Sequence, residues 1–189
     1  MALIQNAKTF PDVNGMTKLG SSHSSSATGT NIINNIFSDT FNSYFFHLEV
    51  LLATSGQNPI MQFVDSGGNI ISAGNYYYAY EGRDQGSNDE SGAEAGASGF
   101  KFGPTGNGRV VTVHGFISSP TSGNDNAKKC TWIVAGFDAS NNALWRSGAG
   151  FYTASADYTG INIMSTSGNL SQHALQVYGI RESLKMGGY

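Results

Sequence analysis

The sequence predicts an all-β fold: an antiparallel, jelly-roll-like β-sandwich preceded by an extended N-terminal arm. Three observations carry that reading. Within residues 37–54, FSDTFNSYFFHLEVLLAT, Tyr44, Phe46, Leu48, Val50 and Leu52 fall on one face, and Phe45, His47, Glu49 and Leu51 on the other. Period-two alternation of this length marks a strand with one face in a core. Strand-like runs recur between turn residues along the rest of the chain, and about eight to ten short strands at such spacing suit a sandwich or jelly roll. No segment shows the period of an amphipathic helix, and no fixed-period repeat points to a solenoid or propeller.

The elements follow in order. Residues 1–30 form the arm, and its scattered apolar residues, Ile4, Phe10, Val13 and Leu19 among them, cannot build a core alone. These four are the candidate contacts with a partner subunit. The stretch 20–30, GSSHSSSATGT, reads as a flexible Ser-rich linker. The sandwich domain spans 31–189. After the opening strand come PIMQFVD at 59–65, a Ser-Gly-Gly-Asn turn, a short run at 70–73 and NYYYAYE at 75–81. Residues 109–118 and 128–137 pair around a polar loop, with Asn107-Gly108 as a tight hairpin corner before them. A turn at 138–142 leads into 143–147, and runs at 158–164 and 173–182 close the body. The intervening segment 81–99 reads as a long loop with five acids (Glu81, Asp84, Asp89, Glu90, Glu94) and one base (Arg83). A loop of that length in a compact domain is functional or mobile.

Composition narrows the function classes. The 189 residues are 39% hydrophobic and only 12% charged, with 25 glycines. Soluble domains average about 25% charged residues. Small neutral polar residues take the place of charge, which suits surfaces that contact other protein, because a Ser or Asn costs less to bury than an ion. The net charge is −3 and the Lys and Arg residues are scattered, which argues against nucleic-acid binding. No apolar run approaches about 18 residues, so no membrane span is expected. The start, MALIQNAKTF, lacks the regions of a standard export signal. Cys130 is the single cysteine and reads as a small buried hydrophobe.

Candidate chemistry is sparse. Asp84, Asp89 and Glu90, with Asn88, offer oxygen ligands suited to Ca2+, but their spacing departs from an EF-hand loop, and the expectation is a solvated loop with no metal and no cofactor. The four histidines, His23, His47, His114 and His173, lack metal-ligand spacing. The nucleophile elbow and the Walker loop are absent. Glu49, Asp65, Glu81 and Asp157 lie at strands or their ends, yet no two are placed as a glycosidase pair by the sequence. The aromatic run at 76–80 sets Tyr76, Tyr78 and Tyr80 on one face and Tyr77 on the other. Tyr77 is the candidate sugar-stacking or interface residue, and Asp84, Asp89 and Glu90 are further candidates for surface recognition.

Three motifs, taken in order, carry a resemblance. Phe41 to Tyr44 opens the first long strand, Asn75 to Tyr78 lies mid-chain, and Val177 to Arg181 closes the body. This ordered set resembles small virion proteins of tailed bacteriophages, particularly cyanophages. The resemblance implies a non-enzymatic structural protein of the virion. It would be a capsid decoration (cement) protein docking through its arm onto the major capsid or tail protein, or else a tail-fibre or tail-associated module for a receptor or host surface glycan. It also implies association with copies of itself, as a homotrimer, and no catalytic residues.

Overall fold

The computed structural model describes residues 15–41, 43–54, 56–86, 88–103, 109–121, 128–138 and 140–181. Among them, twelve strands follow in chain order: β1 (Met16–Ser24), β2 (Thr30–Ile33), β3 (Ser43–Leu52), β4 (Pro59–Asp65), β5 (Tyr76–Asp84), β6 (Asp89–Ala97), β7 (Phe100–Lys101), β8 (Val110–Ser118), β9 (Lys128–Phe137), β10 (Ala143–Tyr152), β11 (Tyr158–Ser165) and β12 (Leu170–Ile180). They form two antiparallel sheets. The large sheet has the order β1-β12-β3-β8-β9-β10-β5-β6, and the small one β2-β11-β4-β7. The all-β antiparallel sandwich is therefore as the sequence predicts.

The alternation read in β3 is the alternation the fold uses. Tyr44, Phe46, Leu48, Val50 and Leu52 are all buried between the sheets. Inner-facing residues of β8, β9, β12 and β10 join them, including Val113, Ile117, Trp132, Val134, Leu175, Val177 and Tyr152. Strand β4 shows no alternation because it is buried throughout, with only Asp65 at its end partly open; its one other polar side chain, Gln62, donates to the Ser98 carbonyl at 2.9 Å and accepts from the Asn162 amide at 3.0 Å. An aromatic cluster joins the layers: Phe63 of β4 stacks on Tyr158 of β11 at 5.1 Å and meets Tyr152 of β10 edge-on at 5.6 Å. Tyr76 of β5 lies 4.6 Å from Tyr152 and 5.0 Å from Phe100 of β7. Such edge and offset contacts between rings stabilise the core beyond their buried area.

Three expectations change. Segment 81–99 is not a loop: β5 and β6 form a hairpin, with Gly82 opposite Glu90 and Arg83 opposite Asp89. The hairpin closes between Asp84 and Asn88. There the Asp84 carboxylate accepts from the Asn88 backbone N–H at 2.9 Å and from its side-chain amide at 2.8 Å. The same Asp-x-x-x-Asn clasp closes the turns at Asp65–Asn69 and Asp138–Asn142. Second, the Ser-rich stretch is not a free linker. Its first half belongs to β1, which pairs antiparallel with β12 from Met16 opposite Ile180 to Ser24 opposite His173. Third, residues 70–73 form no strand; Ile70 makes a single bridge to Val64.

Candidate functional site

The two faces of the large sheet differ in kind. The inner face is core. The outer face, built from the alternate residues, is covered by no other element of the described chain. Strand register sets its rows. Tyr178, Phe45, Phe116, Thr131, Ala149, Ala79 and Ala93 follow one another from β12 to β6, and His47, His114, Ile133, Ser147, Glu81 and Ser91 form the row beside it. Two flanking rows carry Lys129, Phe151 and Tyr77 on one side and Trp145, Arg83 and Asp89 on the other.

This face divides into two halves. On β12, β3 and β8, Phe45 touches Phe116 at 5.4 Å and Tyr178 at 6.1 Å, and His47 faces His114 at 4.8 Å between ring centres. On β9, β10, β5 and β6, the central residues are small except for Ile133 and Glu81. Ala79, Glu81, Ser91, Ser147 and Ala149 line a shallow depression of about 620 Å³, and Thr131, Ala149 and Phe151 line an adjoining one of about 640 Å³. The Tyr77 and Phe151 rings stand parallel at its border, 5.4 Å apart and 6° from coplanar. Trp145 stands at the opposite border and is 50% exposed.

The other predicted site residues scatter. Asp84 sits in its turn clasp, where hydrogen bonds from Asn88 hold its carboxyl below the usual carboxylate range. Asp89 is on the outer face, 3.6 Å from Arg83. Glu90, its neighbour in sequence, points to the opposite face of the sheet. There its carboxylate accepts from Arg146 Nε at 2.6 Å and also from Nη2, while the Arg146 guanidinium lies 4.8 Å over the Tyr80 ring. The acids thus do not converge. Among the described residues no group of three or more His, Cys, Asp or Glu is arranged to hold a metal ion. Glu49 and Glu81 share the outer face but lie on β3 and β5, four strand spacings or about 19 Å apart, beyond the reach of a glycosidase carboxylate pair. Of the arm residues, Leu19 packs on the chain's own core. Ile4, Phe10 and Val13 lie outside the described residues.

His173 is the one buried histidine, only 5% exposed, with Nε2 3.4 Å from Ser22 Oγ and Nδ1 without a partner. Burial and the nearby His23 lower its pKa. Cys130 is fully buried, and burial pushes its thiol well above the ordinary range.

Sequence reasoning singled out Tyr77 but missed Phe151, Trp145, Ile133 and Phe116. A signal was available in ALWRSGAGFY: Trp145 and Phe151 share a face with Ala143, Ser147 and Ala149, an odd place for large aromatics.

No protein-family model matches the chain, and no curated protein matches it. Among solved structures, the CBM2 module of the Lactobacillus casei BL23 phage J-1 evolved Dit is 10% identical over 91% of this chain and 79% of that one, at a TM-score of 0.24. That likeness is too slight to assign a fold or a ligand.

Proposed function

We propose that the protein is a non-enzymatic recognition module of a bacteriophage virion, associated with the tail, and that the outer face of its large sheet meets host-surface material. One observation carries this reading. Of the seven large hydrophobic residues exposed among the described residues, Val110, Phe116, Ile133, Trp145 and Phe151 all stand on that face. Exposed apolar side chains gathered on one face mark an interaction surface, whereas scattered ones need no explanation. The three virion-like motifs support the setting, for they fall at β3, β5 and β12, all in this same sheet. Purified full-length protein should adhere to cell envelopes of the host bacterium. The double variant Phe116→Ser, Trp145→Ser should lose most of that adhesion with an unchanged circular dichroism spectrum. Equal adhesion by variant and wild type would sink the proposal.

A second reading is a capsid decoration protein, homotrimeric and docked on the major capsid or tail protein through its N-terminal segment. It is favoured by the position of β1 at the edge of the large sheet, which brings the chain into the body at its rim. Because β1 is part of the sheet, the informative truncation removes residues 1–14 and spares 15–30. On this reading the truncated protein stays folded and is missing from purified particles; particles that retain it in full would exclude arm docking.

A further inference from the structure

Resting on the recognition reading above, we infer that the β9-β10-β5-β6 half of the outer face binds an extended, uncharged oligosaccharide laid along β10 between Phe151 and Trp145. The length follows from strand geometry. Six residue steps separate those two aromatics, which is about 20 Å of strand, the reach of about four linked pyranoses.

The borders and the floor then match the two chemistries of a sugar. Phe151, 42% exposed and paired with Tyr77, and Trp145 offer rings at either end that can receive the C–H face of a pyranose. Between them the side chains are short, so the path is open, and Ser147, Ser91, Thr131 and Glu81 supply hydroxyl and carboxylate groups for sugar hydroxyls. A few placed polar groups amid apolar lining are what fix a ligand's orientation.

Charge decides which oligosaccharide. Arg83 and Asp89 neutralise each other at the Trp145 border. Glu81 and Lys129 contribute one charge of each sign, so the path has no net charge to offer a polyanion or a polycation. Between the two borders a single long apolar side chain, Ile133 on β9, flanks the path, whereas on the neighbouring half Phe45 touches both Phe116 and Tyr178, and there a protein partner would find its dry contact.

The experiment is calorimetric titration of the full chain with neutral gluco- and galacto-oligosaccharides of one to six units, and with a sialylated series as the charged control. Affinity should rise up to about four units and then level off, with the charged series weaker. Trp145→Ala should weaken the tetrasaccharide about tenfold and leave the disaccharide nearly unchanged. Ala149→Arg, at an exposed floor position, should block every length without moving the thermal midpoint. A plateau at one or two units, or no effect of Trp145→Ala, overturns the inference. If envelope adhesion persists while no neutral oligosaccharide binds, the ligand class is wrong and the recognition reading stands. If adhesion is absent as well, that reading fails with it. A concentration-dependent dimer that Ala149→Arg abolishes, without sugar binding, reassigns the face to a second copy and overturns the inference.

Discussion

Tyr44 and Tyr76 solve the same problem at two corners of the sandwich. Each is a large apolar body buried in the core with a hydroxyl that has to be satisfied. The Tyr44 hydroxyl donates to the Ser38 carbonyl at 2.7 Å and accepts from the Ser38 N–H at 2.9 Å. That of Tyr76 donates to the Ile71 carbonyl at 2.9 Å and accepts from the Phe63 N–H at 2.8 Å. Buried polar atoms with partners cost little, and those without are expensive. His173 is the contrary case, since its Nδ1 has no partner. Its folded pKa lies below the unfolded value of 6.5. Below about pH 6.5 the unfolded chain therefore binds the proton that the folded one refuses, and stability falls as pH falls through that range. Thermal midpoints should be level above about pH 7 and drop between about pH 6.5 and 5, and His173→Gln should flatten that drop. An identical pH profile in the variant would assign the drop to other groups.

The two edge strands of the large sheet are the elements whose sequences least resemble strands. Strand β6, DESGAEAGA, is small and acidic, and β1, MTKLGSSHS, is largely polar. Of the β-branched and aromatic residues that mark strands by propensity, β6 has none and β1 only Thr17. Both are strands because a neighbour presents a backbone ladder to them, and one glycine in each lets them come close. At Gly92 a Cβ would stand 2.6 Å from the Tyr80 hydroxyl, and at Gly20 it would stand 2.8 Å from Ile33 and 2.9 Å from Ile36. Gly20→Val should cost about 1–3 kcal/mol in chemical denaturation, the range for overpacking. It should also raise amide exchange along β1 and its partner β12. Full stability in that variant would mean that β1 does not seat on the body. The Asp-x-x-x-Asn turns are the opposite sort of element. Each is closed by its own side chains, so each is legible locally, and the clasp at Asp84 is the cue that would have split segment 81–99 into a hairpin.

At the scale of the whole molecule, two sheets of unequal width meet around one aromatic core, and the wider sheet has a broad outer face that no other element of the described residues covers. The alternation of β3, β8, β9 and β12, the turns closed by Asp65 and Asp138 and the sandwich class were determined by the sequence itself. They depend on period-two sidedness and on side-chain-to-backbone hydrogen bonds, which act over a few residues. Tertiary structure alone decided that β10 lies between β9 and β5, and that two polar segments become edge strands. Backbone ladders form between residues far apart in the chain and are nearly indifferent to side-chain identity, so no local pattern announces them. The same pairing set Tyr77 beside Phe151, 74 positions later in the chain, with Trp145 across a floor of alanine and serine. The sequence set Tyr77 on the face opposite its neighbouring tyrosines; the pairing of β5 with β10 made it the border of a surface.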